Sequence, residues 1–197
     1  MNFDFLKSKK VLLTVAGASI VLGLIFTFGG HAAIKATSDD KFCVSCHSWM
    51  DPMGESYSHD THGGNNPHGI KTKCVSCHLP HDSLANYLFK KGVNGIVEVT
   101  SVIINDPKEM DWQAHREKRE SYVFDSGCLS CHSNIEKTQS QSQAASRMHT
   151  LYTKYKDADK DPLKCASCHK NVGHKKLSKI LYDRTHEPVG EWEDDIK

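Results

Sequence analysis

The stretch Lys41–Glu55, KFCVSCHSWMDPMGE, contains the C-x-x-C-H sequence Cys43–His47. The pattern returns at Cys74–His78, Cys128–His132 and Cys165–His169. In such a sequence the two thiols attach a haem covalently, and the histidine that follows is placed to bind its iron. The four copies use every cysteine in the chain, which argues against zinc half-sites and a disulfide scaffold. The sequence therefore predicts four haem c groups.

The composition leaves little material for an ordinary hydrophobic core. Of the 197 residues, 38% are hydrophobic and 8% aromatic, and many of these fall in one early run. We therefore expect a mainly α-helical multihaem c-type cytochrome domain with little regular structure and with the haems as its core. The formal net charge is +1 and no basic run alternates with aromatic residues, so no nucleic-acid partner is predicted. The predicted haem-attaching residues are Cys43, Cys46, Cys74, Cys77, Cys128, Cys131, Cys165 and Cys168.

The early apolar run, Val11–Gly30, has twenty residues without a charge. As a helix it measures about 30 Å, the thickness of a bilayer's hydrocarbon core. Lysines precede the run, which places the N-terminus in the cytoplasm. A cleaved signal peptide is the alternative, but this run is longer than the apolar part of a typical signal. The prediction is a single-pass protein of the bacterial inner membrane with its haem domain in the periplasm.

The motifs fall into two pairs, which suggests an internal repeat. The predicted division is a cytoplasmic N-terminus (1–10), a transmembrane anchor (11–30), a periplasmic tetrahaem domain (31–182) and a charged tail (183–197). Within the tetrahaem domain we expect two dihaem halves, at about 41–110 and 111–176.

One sizeable apolar segment lies outside the anchor, at Leu84–Ile104. Residues such as Leu88, Lys91 and Gly95 recur at helical spacing, although its glycines and β-branched residues weaken the helix prediction. Charges interrupt the segment too often for a second membrane span. An amphipathic helix on the membrane surface and a core helix packed on haems both remain open.

Nine of the thirteen histidines lie outside the motifs, and an electron-transfer haem needs a second axial ligand. Spacing within the motif pairs favours His62, His149 and His174. The rivals are His59, His68, His81 and His115.

The first motif differs from the others because methionines, Met50 and Met53, follow it closely. Methionine raises the potential of a haem, and Met50 could bind the iron if the backbone turns tightly. His47 would then lose its usual role. The alternative keeps His47 as the ligand, with Trp49 and Met50 packed on the porphyrin.

From the anchor to about Lys176, the chain resembles the NapC/NirT/NrfH family of membrane-anchored multihaem quinol dehydrogenases. The resemblance rests on HGG at His62, CHLPH at His78, YLFKK at Tyr87–Lys91, RMHT at His149 and CHKNVGH at His169–His174. It implies axial ligands on both sides of haems 2–4. The proximal ligands are His78, His132 and His169, and the distal ligands are His62, His149 and His174. Some members bind haem 1 through a methionine shortly after the motif. In this sequence Trp49 replaces that methionine, two residues beyond the motif histidine. Met50 lies one residue further along.

The resemblance also implies a quinol site, because family members place a lysine and, seven residues later, an acid near haem 1. Lys91 and Glu98 match this spacing, with Glu where Asp is usual. The lysine would hold the quinone oxygen and the carboxylate would accept a proton. The alternative is an ordinary surface ion pair or a partner of a haem propionate.

The implied function is oxidation of quinol, with menaquinol favoured over ubiquinol, and transfer of its electrons through four haems to a periplasmic reductase. That reductase could itself be a multihaem enzyme. The other partners are the quinol pool and the lipid bilayer, and an oligomer stays open. Two further hypotheses are a passive anchoring electron-transfer subunit, and a haem 1 that binds nitric oxide or hydroxylamine.

Overall fold

The structure is a computed structural model that describes residues 8–45, 51–105, 110–135 and 142–186. Within these ranges the chain is helical and contains no β-strand, so the predicted mainly α fold is confirmed. The ten α-helices of the described residues are α1 Lys9–Ala36, α2 Asp40–Ser45, α3 Asp51–Ser58, α4 Cys74–His78, α5 Leu84–Ile104, α6 Trp112–Glu117, α7 Asp125–Cys131, α8 Gln143–Tyr155, α9 Cys165–Cys168 and α10 Leu177–Thr185. Two 3₁₀ turns are added at Thr61–Gly63 and Arg119–Ser121.

Helix α1 contains the predicted anchor and is long and apolar enough to cross a membrane. None of its side chains is buried within the protein. Thr37 caps its C-terminal end, and the backbone N–H of Thr37 donates to the carbonyl of Ala33. The hydroxyl of Ser38 donates to the carbonyl of Ile34, in the last turn of the helix, at 2.6 Å. The haem domain therefore begins directly after a capped helix end.

The short helices that carry the C-x-x-C-H motifs follow one another in space as they do along the chain. Helix α2 contacts α4, α4 contacts α7, and α7 contacts α9. The contact between α4 and α7 needs a residue without a side chain, because a Cβ on Gly127 would lie 2.0 Å from the carbonyl oxygen of Ser76. The backbone N–H of Phe124 donates to the carbonyl of Cys77 at this point. The second and third motifs are thus held together by backbone contacts.

The last helix closes the domain on its beginning. Helix α10 packs against α3 and α6 and buries Leu177 and Ile180. An ion pair at 3.2 Å joins Arg184 of α10 to Glu55 of α3. Among the described residues the buried hydrophobic side chains are few: Leu79, Tyr152, Ala166, Leu177 and Ile180. So small an apolar core agrees with a domain whose interior is built around cofactors.

Candidate haem-binding centres

Three histidine pairs are present among the described residues, and each joins a motif histidine to a histidine from elsewhere in the chain. The ring centres of His78 and His174 are 6.2 Å apart. Those of His62 and His132 are 6.3 Å apart, as are those of His149 and His169. The structure therefore brings each of the three predicted distal histidines to one motif histidine.

These separations fit a haem iron between the two rings of each pair. Two imidazoles that bind one metal from opposite sides, each through a bond of about 2.0 Å, hold their ring centres about 6.3 Å apart. Three different pairs, from different elements, have nearly this separation. The residues present thus suit a haem with two histidine ligands at each of the last three motifs.

Hydrogen bonds hold several of these rings by their Nδ1 atoms. The Nδ1 of His78 lies 2.9 Å from the carbonyl oxygen of Tyr122, and the Nδ1 of His62 lies 3.0 Å from a carboxylate oxygen of Asp60. Both oxygens are acceptors only, so Nδ1 must donate the proton in each case. The unprotonated Nε2 is then left free to bind a metal, the arrangement that supporting partners of histidine ligands usually impose.

The ring of His174 is held in the same way by a serine. Ser56 is fully buried, and its hydroxyl donates to the carbonyl of Met53 at 2.9 Å. Its oxygen, 3.1 Å from Nδ1 of His174, must therefore accept the imidazole proton. Burial and the neighbouring His78 lower the pKa of His174 to about 4. The ring is consequently neutral near pH 7, as a metal-binding imidazole has to be.

The HGG sequence explains how His62 is positioned. Asp60 caps the turn at Thr61–Gly63 by accepting from the backbone N–H of His62. A Cβ on Gly63 would lie 1.8 Å from the carbonyl oxygen of Tyr57, and Gly64 has a φ of 101°, which favours glycine. The two glycines let the chain turn tightly behind the histidine.

The rival histidines have other surroundings. The Nε2 of His81 lies 3.1 Å from the carbonyl of Val75, and the Nδ1 of His115 lies 2.8 Å from the carbonyl of Asp111. His59 and His68 are exposed. Among the motif histidines that the structure describes, each has one of the three favoured histidines as its ring neighbour.

Contacts between cysteines also join neighbouring motifs. The thiols of Cys43 and Cys74 lie near enough to shift each other's pKa, and so do those of Cys128 and Cys165. The first and second motifs therefore touch, as do the third and fourth. The second and third are joined by the backbone contacts of Gly127 described above.

An aspartate supports each of these two motif pairs. Asp40 accepts from the backbone N–H of Cys74 at 2.9 Å, and Asp125 accepts from that of Cys165 at 3.0 Å. Each aspartate stands three residues before the first cysteine of one motif and caps the helix of the next motif. Sequence reasoning missed both residues, although a D-x-x-C pattern marks the first and third motifs and no others.

The two aspartates differ in their second partner. Lys71 lies 3.4 Å from Asp40, whereas Asp125 accepts from the hydroxyl of Tyr152 at 2.8 Å. Partial burial acts to raise the pKa of Asp40, but the N–H of Cys74 and the ammonium of Lys71 outweigh it and lower that pKa. One motif pair is therefore braced by an ion pair and the other by a neutral phenol.

The predicted quinol-binding lysine lies where the anchor ends. Nζ of Lys91 donates to the carbonyl of Thr37 at 2.8 Å and to the hydroxyl of Ser38 at 2.9 Å. The hydroxyl of Tyr87 is also 3.0 Å from that of Ser38. Burial lowers the pKa of Lys91. Glu98 lies seven residues, or two turns, further along α5 and therefore shares the face of Lys91. Its side chain is exposed.

Cys46, His47, Trp49 and Met50 lie outside the described residues, so the ligand of haem 1 stays a prediction. Cys43 is described in α2, and Met53 is described in α3.

Comparisons with known proteins agree with these centres. Residues 6–179 match the NapC/NirT cytochrome c family, N-terminal region. The chain is 33% identical over 176 residues to the cytochrome c-type protein TorY of Escherichia coli O157:H7, covering 84% of this chain but 45% of TorY. It is 29% identical over 179 residues to the tetraheme c-type cytochrome CymA of Shewanella oneidensis, covering 85% of this chain and 92% of CymA.

A third relative is the denitrification system component NirT of Stutzerimonas stutzeri, 31% identical over 166 residues, which cover 79% of this chain and 77% of NirT. No solved structure matches the chain. The family match spans the transmembrane helix and all four motifs, and it implies covalently bound haem and a role in electron transfer. The chain belongs to the NapC/NirT cytochrome c family.

Proposed function

We propose that this protein oxidises quinol at the periplasmic face of the bacterial inner membrane and passes the electrons through four haems to a periplasmic reductase. Menaquinol is the favoured substrate. The observation that carries the proposal is the position of Lys91, which bonds to both Thr37 and Ser38 at the end of the transmembrane helix. A lipid-soluble carrier reaching that point would meet this ammonium group beside the first motif.

Quinol oxidation requires a group that accepts a proton and a group that binds the quinol oxygen. Quinol gives up two protons and two electrons when it becomes quinone, so a carboxylate near its hydroxyl assists the reaction. Glu98 has this role in our proposal. Lys91 binds the oxygen and stabilises the negative charge that develops as the proton leaves. The haems, when bound, accept the electrons one at a time and carry them onward.

The proposed relay follows the order of the motifs. Three centres take two histidines each, namely His78 with His174, His132 with His62, and His169 with His149. The first takes Met50 or His47, with Met53 as a further alternative. The relative CymA is named as a tetraheme cytochrome and aligns with this chain over 92% of its own length, which supports a count of four. In this order the fourth motif is the exit, and Cys168 and His169 are exposed there, as are Cys131 and His132 of the third motif.

The test is quinol oxidation by the full-length holoprotein in liposomes that contain a menaquinol analogue. Haem reduction followed by absorbance should slow by about a hundredfold in Glu98→Gln, because a general base is lost. Lys91→Gln should slow it as well. The matched control is Lys90→Gln, whose ammonium lies over the ring of Phe124 instead. Reduction by dithionite should be the same in all three variants.

A second function is favoured by the same contacts. An ammonium that bonds to the last carbonyls of a helix caps it, and Lys91 could do this for the anchor alone. The protein would then be a passive electron-transfer subunit that holds a catalytic partner at the membrane. In that case Lys91→Gln would lower the thermal unfolding midpoint and leave quinol oxidation unchanged, and our proposed site would be excluded.

A further inference from the structure

Helix α5 has an exposed apolar face that the proposed electron relay does not use. With about 100° between successive residues, one broad side of the helix collects most of its large hydrophobic side chains. Those at its centre are Leu84, Leu88, Phe89, Ile96, Val99 and Ile103, all exposed, and the exposed Val97 and Ile104 lie at its edge. Ile96 is 70% exposed and Ile103 is 77% exposed. The opposite side has polar residues, among them Lys90, Asn94 and Ser101.

The neighbours of α5 within the described residues do not cover this face. None of the other described helices packs along α5. Its links to the anchor come from its first two turns, through Tyr87 and Lys91. Lys91 also lies near enough to Cys43, the first cysteine of the first motif, to interact with it electrostatically. The first motif therefore meets α5 at Lys91, on a different side of the helix from Ile96 and Ile103.

The height of α5 relative to a bilayer follows from its bonds to the end of α1. The uncharged run of the anchor ends at Gly30, and Thr37 stands about 10 Å beyond it at 1.5 Å per residue. Lys91 bonds to the carbonyl of Thr37, so the first turns of α5 lie at the level of the lipid headgroups. Amphipathic helices that rest on membranes bury their apolar face about 5–10 Å into the boundary between headgroups and acyl chains.

We propose that α5 lies flat on the bilayer beside the anchor, with the face that contains Ile96 and Ile103 inserted among the lipids. The bonds to Thr37 and Ser38 fix its start next to the point where α1 leaves the membrane. The haem domain then has two attachments to the membrane, one that spans it and one that rests on it. This second contact sets the tilt of the domain and does not depend on quinol oxidation.

Site-specific photo-crosslinking tests the proposal in the full-length holoprotein. A benzophenone amino acid is introduced at Ile96 or at Ile103, and the protein is placed in lipid nanodiscs. The matched control has the same group at Asn94, on the polar face and within one turn of Ile96. After irradiation, mass spectrometry should find about tenfold more lipid adduct at the two apolar positions than at the control.

The other outcomes overturn the proposal. Crosslinks from Ile96 or Ile103 to a second copy would identify a dimer surface, and crosslinks within the haem domain would identify a core helix. Equal lipid labelling at all three positions, or none at any, would show that no particular face of α5 enters the bilayer. Haem content and absorbance spectra of each variant show that the domain has folded.

Discussion

The carboxylate of Asp125 accepts the backbone N–H of Cys165 at 3.0 Å, so a residue of the third motif's helix caps the helix of the fourth. Its other oxygen accepts the hydroxyl of Tyr152 at 2.8 Å. We expect Asp125→Ala to lower the free energy of unfolding by about 1–3 kcal/mol, since it removes a cap and leaves the Tyr152 hydroxyl unpaired. Thermal unfolding of the holoprotein measures this. Asp157→Ala, at an exposed surface ion pair, should have almost no effect.

Asp40 should make the stability depend on pH at the acid end. Its pKa is lowered from the ordinary 3.8 in the folded protein, so the carboxylate stabilises the fold above that ordinary value. The contribution is lost as the pH falls through the lowered pKa. The unfolding midpoints of the wild type and Asp40→Asn should therefore differ by a constant amount at neutral pH and converge in acid. A difference that persists unchanged in acid would contradict this assignment.

Gly127 should tolerate no side chain. A Cβ there would lie 2.0 Å from the carbonyl oxygen of Ser76, and this atom belongs to the backbone of the second motif. Gly127→Ala should cost at least about 1–3 kcal/mol through overpacking. Gly95→Ala is the control, because a Cβ at Gly95 meets nothing within 4 Å and alanine favours the helix. Unfolding midpoints and the haem-to-protein ratio should fall in the first variant alone.

The histidine pairs predict which variants affect the same haem. If His62 and His132 serve one iron, the double variant His62→Ala, His132→Ala perturbs a single haem. The double variant His62→Ala, His78→Ala should perturb two, since its residues belong to different pairs. Electron paramagnetic resonance counts the haems that leave the low-spin state. Equal counts in the two double variants would disprove the pairing.

The carboxylate behind His62 should influence the potential of its haem. Asp60 accepts from Nδ1 of His62 at 3.0 Å, and a carboxylate partner makes an imidazole a stronger donor to its metal. Asp60→Asn should therefore raise one of the four reduction potentials and leave the others near their wild-type values. Spectropotentiometric titration measures this. Asp39→Asn is the control, because this carboxylate is half-exposed, its ammonium partner Lys73 is 3.9 Å away, and it contacts none of the paired histidines.

Much of this arrangement could be predicted from the sequence because it is local. An uncharged run predicts the anchor, and α5 has the same bounds, Leu84–Ile104, as the apolar segment identified by its composition. Ser83 caps that helix by accepting from the N–H of Asn86, which offsets the weak helix preference of its glycines.

The partners of the histidines were harder to predict because they depend on contacts between distant segments. His62 lies between the first two motifs along the chain, yet it stands opposite His132 of the third. His174 follows the fourth motif and stands opposite His78 of the second. The packing of α10 on α3 brings His174 to His78. This contact cannot be predicted from the spacing of residues along the chain. The supporting residue Ser56 is defined by the same packing, whereas Asp60 supports His62 from two residues away in the chain.

The meeting of His78 with His174 also bears on the order in which the protein is assembled. If the haem domain is exported to the periplasm, as we propose, Cys74 and Cys77 emerge and become available for haem attachment before His174 does. The third and fourth centres find both of their histidines earlier than the second does. The second centre would therefore have only His78 available until His174 emerges, and its pair of histidines would be completed last, in the middle of the proposed electron path and not at its end.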